Sequence, residues 1–461
     1  MLKNVLIVLL AAALAAALLL CRREQAPPVP PEGDPRLAEI AAILGETAAE
    51  PGLRGAAVGF CLLDPEGRVW FEQAGETAFI PASSLKTLTT ATALEVLGPD
   101  FRIVTELKAT APVTNGIIHG DVVITGGGDP TLRGEDLEAW AAELRKRGVR
   151  RIAGRVRGDG SLFRGSLFND HWNWGDIGNG YGSPVGGLNV DHNRFTLHFA
   201  PGAKAGAPAG LRACTQAVIA GFEIENEVVS GPPDSGDGVV VYGGEKAGVL
   251  RLRGTVPAGR ENFGVQAAIP DPEAFAARLF TAFLKEQGIE VAGGGPFPTA
   301  PAQVLLTHRS APLVEIIRHA HEVSDNHETE CLFRLLGVRA GKPPAQVVRA
   351  HWEGRGLRFT ALRMEDGCGL ARADVITPRD LARLQYLARN GPQGDAFWST
   401  LVGNAGVRGK GGAMSGVRSF AGFATGRAGV PRCFAFLVNH AGDAEAVARL
   451  RQRLIEALWR L

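Results

Sequence analysis

The spacing of apolar residues follows one rhythm near the two ends of this chain and another in its middle. Leu37 to Thr47 has helical spacing, and Gly55 to Leu63 is an apolar run ending at the turn Asp64-Pro65-Glu66-Gly67, after which Val69 to Glu72 resumes. The pattern predicts a helix and then a hairpin. Leu85 to Leu97 predicts an apolar helix rich in Thr and Ala, closed by Gly98-Pro99. From about Thr105 to Val265 the runs become short and strand-like, as at Asp121 to Thr125 and Gly238 to Tyr242, and are broken by Gly, Pro and Asp. This stretch reads as an inserted, mostly β region.

Helical periodicity returns at Asp271 to Gln287, Leu313 to His321, Asn326 to Leu336 and Ala345 to Gly354. Another helix is predicted at Thr377 to Arg389, where Thr377 can cap and Pro378 suits the first helical position. Strand-like runs at Ser419 to Thr425 and Cys433 to Asn439 precede an amphipathic helix from Asp443 to Leu458. Two helix-and-strand segments therefore flank a β insertion, with no internal repeat at a fixed period.

A chain of 461 residues with 45% hydrophobic residues exceeds the usual single-domain size, so two or more domains are expected. Its net charge of +1 provides no global field to gather nucleic acid or an anionic membrane, so partners must be read from sites. The segment Met1-Leu2-Lys3-Asn4, the apolar run Val5 to Leu20 and Cys21-Arg22-Arg23 read as an export signal or membrane anchor. The run is short for a spanning helix of ~20 residues. Cys21 is placed like a lipoprotein cysteine, although Leu20 before it is larger than the processing enzyme prefers. Pro27, Pro28, Pro30, Pro31 and Gly33 make an extended tether up to about residue 35, which places the working protein outside the cytoplasm. The six cysteines stand singly at 21, 61, 214, 331, 368 and 433, with no metal-site spacing. Cys61 and Cys433 lie in apolar runs that could meet in one sheet.

Three short motifs carry chemistry. In Pro81-Ala82-Ser83-Ser84-Leu85-Lys86, Ser83 and Lys86 are three apart at a helix start and share a face. A lysine whose ammonium form is disfavoured can take the serine proton, and the backbone N–H groups there suit an oxyanion. In Ser324-Asp325-Asn326, the serine and asparagine point to one side of an extended segment, where they can relay a proton and hold an amide. In Lys410-Gly411-Gly412-Ala413, a lysine beside bound substrate can polarise that second serine while glycines admit the substrate backbone. Singly, each is also explained by ordinary structure: a capping serine beside a solvated lysine, a helix N-cap, a glycine-rich hairpin.

Taken together and in this order, the three resemble the Ser-x-x-Lys, Ser-x-Asn and Lys-Thr-Gly signature of penicillin-recognising enzymes. More specifically the chain is similar to the D-alanyl-D-alanine carboxypeptidase/endopeptidase type of class C penicillin-binding proteins. Gly120-Asp121 with Gly126 to Thr131, Asp176 to Asn193, Ser310 to Gly337 and Phe420 to Asn439 look like that family's blocks, and Asp366 to Arg372 resembles its Asp-Gly-Ser-Gly-Leu-Ser-Arg. The resemblance implies an α/β (α+β) fold: a transpeptidase-like domain from 36–104 and 268–461, with a mostly antiparallel sheet flanked by helices, and one or two β-rich modules inserted at 105–267. It implies Ser83 as nucleophile, Lys86 as its base, Ser324 with Lys410 as the relay to the leaving amine, and Asn326 holding the substrate amide. Gly411, Gly412 and Ala413 would line the substrate, the N–H groups of Ser83 and Ala413 would form the oxyanion hole, and Asp176 would recognise a stem-peptide side chain. The implied partners are peptidoglycan stem peptides and β-lactams as covalent inhibitors, with no metal or organic cofactor and no nucleic acid.

The match departs from the family at Gly411, where threonine usually helps hold a terminal carboxylate, and at Cys368, where serine is usual. Leu401 to Gly409 also looks shorter than usual. An attenuated relative that mainly binds peptidoglycan therefore stays open beside a working peptidase. A β-lactamase or esterase on the same fold is a weaker alternative, because this chain has no glutamate in a motif that would mark a deacylating base.

Overall fold

A computed structural model describes residues 35–461 apart from 296–299, 301–302, 405 and 427–428. The export segment, Cys21 and most of the proline-rich tether lie outside the described residues. Ala57–Leu63 (β1) and Val69–Gln73 (β2) form the expected hairpin. Val402–Asn404 (β3), Val407–Met414 (β4), Val417–Ala424 (β5) and Arg432–Asn439 (β6) come from the other end of the chain. They join into one antiparallel sheet of order β2-β1-β6-β5-β4-β3. β1 and β6 are apolar almost throughout rather than alternating, and the structure buries them on both faces.

One face packs on Ala38–Gly45 (α1) and on the C-terminal helix Ala444–Arg460, through Ile40, Leu44, Phe60, Phe436, Leu450 and Leu454. The other face carries the second core, which includes Lys86–Leu97 (α2), Asn326–Ala340 (α3) and Pro378–Arg389 (α4). The α4 cap is as expected, with the Thr377 hydroxyl accepting from the Asp380 N–H at 3.0 Å. α2 is buried all round from Lys86 to Leu94, which its apolar and threonine-rich composition permits. Cys61 and Cys433 do share the sheet, on neighbouring strands, but Cys61 pairs with Ala435 and Cys433 with Phe423, and both thiols are free.

A third core holds the middle of the chain. It contains small sheets, but also the helix Gly134–Lys146, whose buried Leu137, Trp140, Ala141 and Leu144 follow helical spacing. Helix Pro272–Glu286 packs into this same core, and strand Gln303–Arg309 pairs with Val104–Ala109. Phe163, Phe168, Trp172 and Val185 instead reach into the core beneath the main sheet.

Phe436 is 2% exposed on a central strand, opposite Phe60 and Phe420. Phe436→Ala is expected to lower the unfolding free energy of this unit by roughly 3 to 5 kcal/mol. The check is the urea midpoint followed by circular dichroism, and an unchanged midpoint would contradict the packing described.

Candidate active site

The segment leading to Ser83 is pinned to the sheet. Asn439 of β6 accepts from the Ile80 N–H at 2.8 Å and donates to the Ile80 carbonyl at 3.1 Å, doing with an amide what a strand neighbour would do with backbone. Ser84 and Ser419 both donate to the Pro81 carbonyl, at 2.7 and 2.5 Å. Ala82 turns through a left-handed conformation, φ 47°, into the single 3₁₀ turn Ala82–Leu85 that opens α2. Ser83 therefore stands at a helix start, wedged against β4. A Cβ at Gly412 would lie 2.6 Å from the Ser83 nitrogen, so glycine is required there for the strand to approach.

One turn on, Lys86 is fully buried and its Nζ donates to three acceptors from three parts of the chain. These are Ser83 Oγ at 3.0 Å, Asn326 Oδ1 at 2.6 Å and the Cys368 carbonyl at 2.7 Å. Burial pushes the Lys86 ammonium below its ordinary pKa, against the pull of nearby Asp366 and Asp325. Lys410 donates to Ser324 Oγ and to the Gly411 carbonyl, each at 2.8 Å. Burial, and then the charge of Lys86, lower its pKa to about 7. Ser324 sits in a left-handed conformation, φ 60°, that turns its hydroxyl toward Lys410 just before α3 begins at Asn326. The structure thus brings Ser83, Lys86, Ser324, Asn326 and Lys410 together.

The inserted segment forms the opposite wall. Asn326 Nδ2 donates to the Tyr181 carbonyl at 2.9 Å, and the Tyr181 hydroxyl donates to Asp176 at 3.0 Å. Burial and Asp176 push the Tyr181 phenol up, so it stays a donor. Asp176 takes a second hydrogen bond from Asn173 at 2.9 Å and lines, with Ser83, Ser324, Asn326, Arg372 and Ala413, a cleft of about 450 Å³. Gly411 leaves space beside the strand: a Cβ there would meet nothing closer than Phe420 at 3.7 Å.

Two features escaped the motif reading. Cys368 is fully buried, and its thiol is pushed far above the ordinary range, so its carbonyl is the group that reaches Lys86. That carbonyl is presented by a turn wound around Asp366, whose carboxylate accepts the N–H groups of Cys368, Gly369, Leu370 and Ala371 at 2.6 to 3.0 Å. The Trp172 indole adds a fifth donor at 2.8 Å. Only the resemblance of Asp366 to Arg372 marked this stretch. Two buried clusters bring together side chains of metal-ligating types, and hydrogen bonds occupy each of their carboxylate oxygens except Glu328 Oε2. Glu330, Asp366 and Cys368 form one. In the other, Arg133 donates toward His192 Nδ1 at 3.0 Å, so the ring proton lies on Nε2 and is given to Glu328 at 2.9 Å.

Because Lys410 titrates near 7 in the fold and near its ordinary 10.5 when unfolded, the unfolded chain holds the extra proton between those values. Its contribution to stability therefore grows as pH rises through that window. Lys410→Met removes the dependence. The stability of this variant minus that of wild type is expected to shrink between pH 7 and pH 10 in urea titrations, and a constant difference would refute the depressed pKa.

Comparison with known proteins follows the same lines. The model of the D-Ala-D-Ala carboxypeptidase 3 (S13) family matches residues 40–458. A D-alanyl-D-alanine carboxypeptidase from an Actinomadura species is 30% identical over 450 residues, covering 89% of this chain and 82% of its own. A Haemophilus influenzae protein of the same name, DacB, is 27% identical over 403 residues, covering 81% and 83%. Among solved structures, penicillin-binding protein 4 from Haemophilus influenzae aligns over 91% of this chain and 99% of its own, with a TM-score of 0.77 at 23% identity. The same protein has been solved complexed with a novel β-lactam, at a TM-score of 0.73 and 22% identity over 91% and 99%. With the family model spanning nearly all of the described chain, the protein belongs to the D-Ala-D-Ala carboxypeptidase 3 (S13) family.

Proposed function

We propose that this protein is a serine DD-peptidase that hydrolyses D-Ala-D-Ala termini or D-centred cross-links of peptidoglycan through an acyl-enzyme, outside the cytoplasm. The observation that carries the reading is the contact of Ser83 Oγ with Lys86 Nζ at 3.0 Å in the cleft where Lys410 meets Ser324 at 2.8 Å. Ser83 Oγ attacks the carbonyl between two D-alanines while its proton passes to Lys86, whose burial favours the uncharged amine; in that form two N–H groups stay on Asn326 Oδ1 and the Cys368 carbonyl and the lone pair faces Ser83 Oγ. The oxygen becomes negative against the N–H groups of Ser83 and Ala413. The C–N bond breaks, and the leaving amine takes a proton from Ser324, replaced from Lys410, whose pKa near 7 lets it give and regain one. Water then attacks the ester and gives a proton through Ser324 back to Lys410, while Lys86 returns its proton to Ser83 Oγ as the acid leaves. Asn326 holds the substrate amide, Gly411 and Gly412 make room for its backbone, and Asp176 meets the stem-peptide side chain.

The family and the β-lactam complex of a fold relative support covalent inhibition by β-lactams. A cell-wall peptidase family implies action beyond the cytoplasm, and periplasmic placement is proposed from the export segment. Among the described residues no helix is long and apolar enough to cross a membrane, so a tether would rest on residues 1–21. The inserted unit is proposed to run past the expected boundary at 267 to about residue 309, since Pro272–Glu286 and Gln303–Arg309 pack with it.

Gly411 favours one variation on this reading, a peptidase with weakened hold on a terminal carboxylate. One missing hydrogen bond to a charged group is worth ~1.5 to 3 kcal/mol. Fluorescent penicillin is expected to label the wild-type protein covalently and to leave Ser83→Ala unlabelled; labelling of both to the same extent would end the assignment of the nucleophile. Gly411→Thr, which the strand can accommodate, is expected to raise D-alanine release from a pentapeptide by roughly tenfold or more. A fall or no change, read by a D-alanine assay, would count against the placement of the carboxylate.

A further inference from the structure

The Cys368 carbonyl, which accepts from Lys86 Nζ at 2.7 Å, and the Gly369 N–H, which donates to Asp366 Oδ1 at 2.6 Å, are the two ends of one peptide unit. A carboxylate on the N–H end of a peptide polarises it and leaves more negative charge on its oxygen, and a dry interior screens that effect little. Asp366 is wholly buried, and five N–H donors hold it in the acceptor-only carboxylate form. Among the described residues no cationic side chain forms an ion pair with it. Gly369, at φ 79°, lets this turn lie against the segment leading to Ser83, where a Cβ would strike the Ala82 carbonyl. The Asp366 charge therefore reaches the amine beside Ser83 through a single peptide bond. Four of its donors belong to the turn itself. The fifth, Trp172 Nε1 on Oδ2 at 2.8 Å, comes from the inserted segment.

We propose that Trp172 is a positioning residue for the reaction: its indole fixes Asp366 and draws off part of the charge that the Cys368-Gly369 peptide passes to Lys86, so the inserted segment sets how readily Lys86 takes the Ser83 proton. The inference rests on Lys86 being the base of the proposed function. Removing the donor from Oδ2 leaves more charge on the carboxylate, steadies the Lys86 ammonium and raises the pH at which the amine becomes free. The other ionisable groups around this pair keep their own partners when Trp172 is replaced. Glu330, which burial pushes up to about 7, accepts from Arg334 at 3.0 Å and from the Gly367 N–H at 2.8 Å. Asp325 is paired with Arg194 at 2.9 Å, and Lys410 with Ser324 at 2.8 Å. Burial, and then Asp366, push Asp374 well above the ordinary carboxyl range, while burial lowers His321 to about 3 and raises the Cys368 thiol, so all three are neutral.

The test is the second-order rate of covalent labelling by fluorescent penicillin, followed across the pH range in which Lys86 and Lys410 titrate. Wild type is expected to show two limbs, because Lys86 must be uncharged to take a proton and Lys410 charged to give one. Trp172→Phe is expected to shift one limb, that of Lys86, upward by about 0.5 pH unit, about threefold in rate at a fixed pH on that limb, and to leave the Lys410 limb in place. Asn169, which lies on the same loop and donates to the Glu365 carbonyl at 2.5 Å, ties the insertion to the same turn without touching the Asp366 carboxylate. Asn169→Ala is therefore expected to leave both limbs where they are. Limbs that stay put or move downward in folded Trp172→Phe overturn the proposal, as does an equal shift in Asn169→Ala, which would reduce Trp172 to a brace. Circular dichroism checks the fold, and Trp172→Leu carries the same expectation if the phenylalanine variant does not fold. An unlabelled wild type, or a labelled Ser83→Ala, defeats the peptidase reading itself, whereas labelling that depends on Ser83 with a profile indifferent to Trp172 defeats only this inference.

Discussion

A single buried amine constrains the rest of this molecule. Lys86 lies on a helix that is covered on every side, and water cannot supply the acceptors that its Nζ requires. Leaving such a group unsatisfied in a dry interior costs several kcal/mol. The chain meets the requirement from three separate places, a serine one turn back, an asparagine at the start of α3 and a carbonyl from the Asp366 turn. Each of these must be held in position by its own neighbours. The geometry of the cleft and the stability of its centre are therefore one problem.

The insertion is part of that solution rather than an ornament on it. Trp172 donates to Asp366, and the Tyr181 carbonyl accepts from Asn326. Two of the three acceptors of Lys86 are thus braced from the segment between the two halves of the sheet domain. Phe163, Phe168 and Val185 bury apolar surface in the same core, which makes the bracing cooperative with packing.

Sequence periodicity revealed most helices of the sheet domain, because their buried stripes recur at the helical period, and the uninterrupted apolar runs of β1 and β6 read as strands, which the structure buries on both faces. It overlooked Gly134–Lys146 although Leu137, Trp140, Ala141 and Leu144 carry that period, because the surrounding Gly, Pro and Asp set an expectation of strands. The short helix Gly394–Thr400 offers too few turns to show a period at all. At the site, the meeting of Ser83 with Lys86 was legible because a spacing of three at a helix start puts two side chains on one face. The contributions of Cys368 and Tyr181 were not, since each acts through a backbone carbonyl, which every residue possesses and no sequence pattern advertises.

Cys61, Cys331, Cys368 and Cys433 are all buried, all free, and all have thiols pushed upward chiefly by burial. A thiol without a route to its thiolate reacts slowly with oxidants or disulfides. Beyond the cytoplasm, where oxidants are abundant, such groups are vulnerable only while the chain is open. Their redox fate is consequently decided by a race between collapse of the core and thiol oxidation, and the finished fold carries no memory of the hazard except the silence of four sulfurs.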